Sequence, residues 1–363
     1  MPKKYHIAID ISPTVDGNSV RGVGYYTSNL IKSLKQHTQK HRSYSNFNID
    51  LITDRSKLDQ KKYDLIHYPY FDPFKLTLPR SVKPTIVTVH DLIPIQFKNQ
   101  FPAGLRGRPK WQIQKRFLQK VDKIITVSHY SQKIISQIIK YPSENIFPIY
   151  EGADNSFKPI TDPKILKTVK DKYSLPNKFI LFVGDINWNK NIPNLVRACY
   201  RLKYPLVIVG SSAVKKDVPN HPWTKHIRWL QARAKKYQKS KSLILTGFVS
   251  DEDLPVIYNL ATVYCQPSFA EGFGLPLVQA MQSGCPVAFS RDTSLPEVVG
   301  QAGLSFNPRS VPDISSTLKK YWLNPKLCRQ YRQLGLNRAK LFNWSDTAKQ
   351  TLEVYQSVLI HEK

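Results

Sequence analysis

The sequence predicts an α/β protein with two doubly wound parallel sheets, and three observations support this. Short apolar runs alternate with amphipathic stretches of helical length along most of the chain. The runs are rich in Ile, Val, Leu and Phe without strict alternation, as in parallel strands that are buried on both faces. At 363 residues, the chain also exceeds the size at which one hydrophobic core usually stops growing, so we expect two domains.

The predicted strands fall into two series of six. The first series is His6–Ile11, Ile49–Thr53, Asp64–Tyr68, Thr85–His90, Lys123–Ser128 and Ile146–Tyr150. The second series is Phe179–Gly184, Pro205–Gly210, Ser242–Gly247, Thr262–Gln266, Pro286–Ser290 and Gly303–Phe306. Helices between such strands form right-handed crossovers, so each series predicts its own doubly wound sheet.

The break between the series lies within Gly152–Asn177, where turn residues and lysines replace the periodic pattern. We therefore expect an N-terminal domain over residues 1–155 and a second domain over residues 156–341. Residues 342–363 are predicted to form a final helix, with Ser345 as its N-cap.

The composition is that of a strongly basic, soluble protein. The formal net charge of +28 predicts attraction to polyanions such as an anionic membrane or acidic acceptors, although a generally basic surface is the alternative. No apolar run reaches the ~20 residues of a spanning helix, and the N-terminus lacks the pattern of a signal peptide. The cysteines lack metal-ligand spacing and predict buried, reduced thiols in a cytoplasmic protein; they are Cys199, Cys265, Cys285 and Cys328.

Residues 271–281, which read Glu-Gly-Phe-Gly-Leu-Pro-Leu-Val-Gln-Ala-Met, are the most informative segment. The two glycines permit close approach to the backbone, and Pro276 suits the first turn of a helix. Amides at a helix start bind anions, so the segment predicts a diphosphate site. Glu271 and Gln279 are then placed to reach sugar or ribose hydroxyls. A capped core helix after a glycine-rich turn is the alternative.

This segment resembles the donor-site signature E-G-F-G-L-P-x-x-E-A-M of the family 4 retaining glycosyltransferases, which have the GT-B fold. The resemblance implies two Rossmann-like domains facing each other across a cleft, with the C-terminal helix packing back on the N-terminal domain. Gln279 stands where the family has its second glutamate, whose implied role is to hold the ribose hydroxyls. The donor-binding residues implied here are Gly272, Phe273, Gly274, Leu275 and Gln279.

Two other motifs follow the family's order. Gly22 and Gly24 belong to a run that begins at Arg21, follows the first strand and opens a helix, and they would let a loop approach the donor phosphate or the acceptor. This run lacks the full dinucleotide fingerprint, which argues against a nicotinamide dehydrogenase.

The second motif follows the first strand of the second series, where the family commonly has a basic pair that neutralises the diphosphate. Asp185, Asn189 and Lys190 are the implied donor-site residues. Lys190 is the one remaining cation of the pair, and a single lysine can still stabilise a departing diphosphate.

His90 ends a predicted strand at its carboxyl edge, where α/β folds bind ligands. The resemblance places this histidine near the transferred sugar. Asp91 is either a helix cap or a partner that orients His90, and we favour the orienting role. Three other features predict structural roles. Asp251-Glu252-Asp253 predicts the first turn of a helix with Ser250 as its N-cap, and His67 and His129 predict ordinary strand-end or loop residues. No metal site is therefore expected.

The resemblance thus implies a metal-independent retaining glycosyltransferase without a cofactor, with Glu271, His90 and Lys190 as its catalytic residues. It would move a mannose- or glucose-type hexose from a GDP- or UDP-sugar to an unknown glycan or lipid-linked acceptor. The leaving diphosphate would help to take the acceptor proton. The alternatives are a GT-B enzyme with a small soluble acceptor and a sugar- or polyanion-binding protein that has lost catalysis.

Two basic stretches with tryptophans predict docking on an anionic membrane, which would place the protein on the inner face of the membrane. They are residues 106–120, around Trp111, and residues 215–241, which contain Trp223 and Trp229. No recognised nucleic-acid-binding module is present, so nucleic acid is not the favoured partner.

Overall fold

The computed structural model describes residues 3–15, 22–237 and 242–360 of the chain. Arg21 and residues 238–241 of the second basic stretch lie outside the described residues. The chain divides into two compact units, the first formed by Met1–Gly152 with Phe342–Lys363 and the second by Ala153–Leu341. Within the described part of the chain, no helix is both long and apolar enough to cross a membrane.

A parallel sheet forms the centre of the first unit. Its described strands are β1 (Tyr5–Asp10), β2 (Phe47–Ile52), β3 (Leu65–Tyr68), β4 (Thr85–Thr88), β5 (Lys123–Thr126) and β6 (Ile146–Pro148). Their order in the sheet is β2-β1-β3-β4-β5-β6. Each strand ends within two residues of its predicted bounds, and β3 and β4 are buried along their whole length, as predicted.

A second parallel sheet forms the centre of the second unit. Its described strands are β7 (Ile180–Val183), β8 (Leu206–Val209), β9 (Leu243–Gly247), β10 (Val263–Gln266), β11 (Val287–Ser290) and β12 (Gly303–Phe306). Their order is β12-β11-β10-β7-β8-β9, so β7 and β10 are neighbours although they are far apart in sequence. The observed bounds agree with the predicted ones to within one residue.

Helices flank both sheets. Those of the first unit before the break are α1 (Gly22–Lys40), α2 (Ile93–Gln96), α3 (Gly104–Leu118) and α4 (His129–Ile139). Those of the second unit are α5 (Pro163–Lys172), α6 (Ile192–Leu202), α7 (Lys225–Tyr237), α8 (Asp253–Leu260), α9 (Leu275–Gln282), α10 (Leu295–Val299), α11 (Val311–Leu323) and α12 (Pro325–Ala339). The last helix, α13 (Trp344–Ile360), returns to the first unit and packs on α1.

The start of α13 corrects one prediction. Ser345 is not the N-cap, because the Asn343 side chain accepts the Asp346 amide at 2.8 Å. Ser345 lies in the first turn, where its Oγ contacts His37 Nε2 at 2.9 Å. Asparagine and serine are comparable N-caps, so the sequence alone does not choose between these positions.

The predicted break contains the helix α5, which the periodicity did not reveal. Asp162 caps α5 by accepting the Lys164 amide at 2.8 Å, and Pro163 occupies its first turn. Of its residues only Val169 is buried, so α5 has too narrow an apolar stripe to be recognised from periodicity.

His67 is a structural residue, as predicted. It is fully buried in β3, where Nδ1 contacts the Tyr355 hydroxyl at 2.6 Å and Nε2 contacts Thr88 Oγ1 at 2.9 Å. These contacts join α13 to the sheet. Burial, with a smaller effect from His90, lowers the pKa of His67 to about 3.

Replacing His67 with Asn should reduce the pH dependence of the unfolding free energy in mildly acidic solution. Folded His67 stays neutral down to about pH 3, whereas an unfolded histidine binds a proton below about pH 6.5. The unfolded state therefore binds more protons between these values, so wild-type stability falls with decreasing pH by up to ~1.4 kcal/mol per pH unit. Urea unfolding between about pH 7 and pH 5 measures this slope.

The control is His6→Asn, because His6 is an exposed histidine of the same unit. This variant should keep the wild-type slope. Equal slopes for the wild type and His67→Asn would contradict the prediction.

Candidate functional site

Helix α9 begins as the sequence predicts. Gly274 precedes it with φ of +107°, and a Cβ at this position would lie 2.7 Å from Leu295 Cδ2. The backbone conformation therefore favours glycine, and a larger residue would also have to displace the Leu295 side chain. Pro276 lies in the first turn, and Leu277, Val278 and Met281 are fully buried. The apolar face of α9 is thus fixed in the core, which holds its N-terminal turn in place.

The structure brings Lys190 and Glu271 together. Lys190 ends a short turn after β7, and its Nζ lies 2.8 Å from both Glu271 Oε1 and Oε2. Glu271 is only 6% exposed, so the cation compensates a carboxylate that water barely reaches. The two predicted catalytic residues of the second unit therefore form one charged pair.

Two residues that the sequence analysis did not single out also hold Glu271. Its Oε1 accepts hydrogen bonds of 2.6 Å from Gln266 Nε2 and Ser268 Oγ, and both of these side chains are fully buried. The Tyr264 hydroxyl donates to Gln266 Oε1, which turns the amide nitrogen towards Glu271. Burial, more than the nearby Tyr258 and Glu271, raises the pKa of Tyr264 well above its ordinary value, so its hydroxyl stays a donor.

Sequence could have indicated Gln266 by one signal. It is a polar residue at the carboxyl end of an otherwise apolar predicted strand, which is where α/β sheets position ligand-binding groups.

The loop around Glu271 has further support from neighbouring hydroxyls. The Glu271 amide donates to Thr293 Oγ1 at 3.1 Å, and Ser294 Oγ donates to the carbonyls of Glu271 and Phe273 at 3.0 Å. The loop therefore has a fixed conformation before α9 begins. Phe273 is buried and Leu275 is half-buried.

Gln279 and Asn189 each bind another part of the second unit. Gln279 is 8% exposed, and its Oε1 accepts a 3.2 Å hydrogen bond from the Tyr258 hydroxyl. Asn189 is buried, and its Nδ2 donates to the Ala270 carbonyl at 2.9 Å, which ties the Lys190 turn to the loop before Glu271. Asp185 is exposed after β7.

His90 belongs to the first unit, just after β4. Its Nδ1 lies 3.3 Å from Glu151 Oε1, and its Nε2 lies 3.2 Å from the Pro69 carbonyl oxygen. The ring of Tyr26 meets the imidazole edge-to-face, with centroids 4.6 Å apart. Both ring nitrogens of His90 therefore face oxygen atoms of the protein.

The neighbour of His90 corrects a second prediction. We favoured Asp91 as the residue that orients His90, but the Asp91 carboxylate accepts the Ile93 amide at 2.9 Å, at the start of α2. The carboxylate at His90 Nδ1 is that of Glu151, 61 residues further along the chain. Glu151 lies after β6 and is 6% exposed, and no local motif marks it.

Gly22 and Gly24 lie in the first turn of α1, and Gly24 is buried. The run after the first strand therefore opens a helix, as predicted. Thr27 Oγ1 donates to the Val23 carbonyl at 2.9 Å within this helix.

The motif Asp251-Glu252-Asp253 has the predicted structural role. Ser250 Oγ accepts the Asp253 amide at 3.3 Å, and the Asp253 carboxylate accepts from Lys172 Nζ at 2.6 Å and the Tyr173 hydroxyl at 2.9 Å. Across the residues that the structure describes, no three His, Cys, Asp or Glu side chains come together in a way that could hold a metal ion.

Trp111 and Trp229 of the basic stretches pack within their own units. Trp111 is half-buried against the core of the first unit. Trp229 packs against the core of the second, with Arg197 and Arg233 over its ring at 5.9 and 5.5 Å. The most exposed apolar side chain in the first stretch's helix is instead Leu105, at 93%.

Models of two sequence families match consecutive parts of the chain. The family described as Glycosyltransferase Family 4 matches residues 34–157, and the family described as Glycosyl transferases group 1 matches residues 167–338. The second match contains Lys190, Glu271 and α9.

Two mannosyltransferases of Escherichia coli are similar to this chain. O-antigen chain mannosyltransferase B is 30% identical over 305 residues, which cover 82% of this chain and 75% of that protein. The serotype-specific mannosyltransferase WbdA is 28% identical over 414 residues, which cover 98% of this chain and 48% of WbdA. The chain thus spans about half the length of WbdA.

Solved structures share the fold at low sequence identity. Sucrose-phosphate synthase of Thermosynechococcus elongatus aligns over 99% of this chain and 100% of its own, with a TM-score of 0.76 and 19% identity. Anabaena HepE in complex with UDP and glucose aligns over 98% and 100%, with a TM-score of 0.72 and 16% identity. The predicted GT-B fold is confirmed, and the chain belongs to the group 1 glycosyltransferases, with mannosyltransferases among its relatives.

Proposed function

We propose that this glycosyltransferase moves a hexose from a nucleotide diphosphate sugar to an acceptor hydroxyl with retention of the anomeric configuration. The Lys190–Glu271 pair carries the proposal, because it puts a cation and a carboxylate beside the loop that leads into α9. The relatives named mannosyltransferases favour mannose as the sugar. HepE was solved with UDP and with UDP-glucose, so UDP-sugars are the alternative to the GDP-mannose that we favour. Thermal shifts with GDP, UDP and ADP distinguish these donors.

The pair gives Lys190 a defined orientation. An ammonium has three N–H donors, and two of them point to the oxygens of Glu271. The third would bind the donor diphosphate, and the amides at the start of α9 would bind its other oxygens. As the bond to the sugar breaks, these groups would stabilise the leaving diphosphate, which itself takes the proton of the acceptor hydroxyl. Glu271 would hold the sugar, and this scheme requires no metal ion or cofactor.

His90 would contact the transferred sugar, as the family resemblance implies. Both ring nitrogens have protein partners, so a sugar hydroxyl must replace one of them. The Pro69 carbonyl is the partner that we expect to be replaced, because it is neutral and its bond to Nε2 is weaker than a charge-assisted one. Glu151 would then continue to hold Nδ1 and keep the ring oriented.

The acceptor in this proposal is lipid-linked or a polysaccharide precursor, and the enzyme would reach it from the cytoplasmic face of the membrane. Helix α3 would contact the membrane through Leu105 and its exposed cations Arg106, Arg108 and Arg116. Trp111 is half-buried against the core of the first unit, so Leu105 is the more exposed apolar residue of this helix.

Changing Lys190 to Met should weaken binding of the nucleoside diphosphate by about 10–100-fold, because a charge-assisted contact is lost. Binding of the free nucleoside should change little, since it lacks the charge.

Glu271→Gln should lower turnover ~100-fold by weakening a preorganised contact to the sugar. Calorimetry measures the affinities, and release of nucleoside diphosphate from the donor measures turnover; a protein that only binds sugars would release none.

The double variant Lys190→Met with Glu271→Gln is the matched control. Lys190→Met alone leaves a buried carboxylate without its cation, which costs about 3–5 kcal/mol, so the double variant should be the more stable one. Equal losses for nucleoside and nucleoside diphosphate in both variants would mean that Lys190 supports the fold and does not bind phosphate.

Changing Gln279 to Glu should keep the hydrogen bond from Tyr258, because a carboxylate can accept it, but should lower the thermal stability by a few °C, because it adds a second charge at a position that is only 8% exposed. If this position contacts the ribose, the variant should also bind the ribonucleotide more tightly. The 2′-deoxy and 3′-deoxy nucleotides should not show this gain. A gain that is the same for all three nucleotides, or no gain, would place Gln279 away from the ribose.

Changing Leu105 to Gln should reduce binding to vesicles that contain anionic phospholipid by about tenfold, since one large apolar side chain no longer enters the membrane. Val82→Gln is the control, because Val82 is an exposed apolar residue in a loop of the same unit. Co-sedimentation at low and moderate salt measures both. If neither variant nor salt affects binding, or no binding occurs, a soluble acceptor becomes the better proposal.

A further inference from the structure

A cavity of about 830 Å³ lies in the second unit, between α7 and the edge strand β9. We name it the α7 cavity. It shares no residue with the Lys190–Glu271 pair, the loop around Glu271 or α9. Nothing in the proposed transfer reaction makes use of it.

The charge of the α7 cavity has a single sign. Lys215 and Lys216 line it from the segment after β8, and Arg228 and Lys235 line it from α7. None of the twelve lining residues is acidic. Among the described residues, none of the four cations forms an ion pair, and Arg228 donates to the neutral side chain of Asn220. Four cations on one concave surface repel each other and concentrate a positive potential.

The spacing along α7 explains why its cations meet in the cavity. Arg228, Gln231, Ala232 and Lys235 follow one another at intervals of three, one and three residues, so they occupy one face of the helix. Gln231 Nε2 donates to the carbonyls of Ala213 and Lys215 at 3.2 and 2.8 Å. These two hydrogen bonds hold the segment that carries Lys215 and Lys216 against α7.

The walls and the cations differ in exposure. Ala213 and Leu243 are buried, and Ile244 and Leu245 are half-buried, whereas the three lysines are exposed. The cavity therefore has an apolar wall beside a set of exposed cations. A small anion with several charges fits this arrangement, because it can contact several of these cations at the same time.

We propose that the α7 cavity is a second anion site that binds a ligand with phosphate groups. Phosphates carry the densest negative charge among common biological ligands, and both lysine and arginine bind them well. The phosphate can belong to a soluble diphosphate or to a lipid headgroup. The site is distinct from the proposed donor site and does not depend on the transfer reaction.

The probes are inorganic pyrophosphate and vesicles of a neutral phospholipid with or without phosphatidylglycerol. Acetylation of lysines by a limiting reagent, followed by mass spectrometry, reports which lysines each probe protects. We expect either probe to slow the labelling of Lys215, Lys216 and Lys235 several-fold, at an ionic strength matched with chloride. Exposed lysines of α11 and α12 should not be protected; they are Lys319, Lys320 and Lys326. Protection of Lys190 reports the proposed donor site separately.

Variants test the same site independently. The fourfold change of Lys215, Lys216, Arg228 and Lys235 to Gln should weaken binding of the protecting probe by about 100-fold, since several charge-assisted contacts are lost. The matched control changes Lys319, Lys320, Lys326 and Arg329 to Gln, which removes the same charge from the same unit. Donor affinity should be unchanged in both variants.

Pyrophosphate protection without vesicle protection identifies a soluble phosphate ligand, and the reverse identifies a lipid headgroup. Equal effects of the two fourfold variants, or protection of neither lysine set by either probe, would overturn the proposal. The labelling result decides the matter if the fourfold variant fails to fold, because it uses the unchanged protein.

Discussion

The buried carboxylate of Glu271 is the group on which the candidate site of the second unit depends. A carboxylate that water barely reaches must find donors within the protein. Its donors come from three places: Lys190 in the turn after β7, Gln266 at the end of β10, and Ser268 in the loop that follows. Each of these segments is consequently held at a short distance from the others. Removing any one donor would leave the carboxylate under-compensated.

The topology of the sheet makes this meeting possible. Lys190 and Glu271 are 81 residues apart in sequence, but β7 and β10 are adjacent parallel strands, with Val263 opposite Ile180. Parallel neighbours end at the same edge of the sheet, so the segments that follow them emerge side by side. Asn189 and Ala270 then join the two segments directly through a 2.9 Å hydrogen bond. The position of the charged pair is therefore a consequence of the strand order.

The sequence was sufficient to predict the strands and insufficient to predict the contacts of the site. Continuous apolar runs mark buried parallel strands wherever they occur, and this local signal located all twelve described strands to within two residues. Strand order is not a local property, so the pairing of Lys190 with Glu271 could not be foreseen from either motif. Glu151 was missed for a similar reason, because its partner His90 is 61 residues away along the chain. The partners of Gln266 are within five residues of it, and the signal that marks it is the polar residue at the end of an apolar strand.

The errors concern places where several residues could satisfy the same backbone group. Asn343 and Ser345 are both capable N-caps, and the choice depends on where the packing of α13 starts the helix. Asp91 could have accepted a backbone amide at the start of α2 or oriented His90. It accepts the Ile93 amide, which is only two residues away. In both cases tertiary packing decided between alternatives that local chemistry left nearly equal.

Helix α5 was missed for another reason. It buries only a narrow stripe of apolar side chains, so its hydrophobic periodicity is weak.

The buried polar groups of the second unit also explain how a glutamine can stand at position 279. Gln279 bonds to the hydroxyl of Tyr258, whose ring meets that of Tyr264 edge-to-face at 5.6 Å. The hydroxyl of Tyr264 in turn fixes Gln266, which holds Glu271. The neutral amide of Gln279 completes this series of hydrogen bonds without adding a second buried charge. Lys190 therefore compensates only one carboxylate, that of Glu271. The charges of Lys190 and Glu271 therefore balance each other within the protein. The third N–H donor of Lys190 is oriented before any ligand binds. A charge that is oriented in advance stabilises a leaving group most effectively.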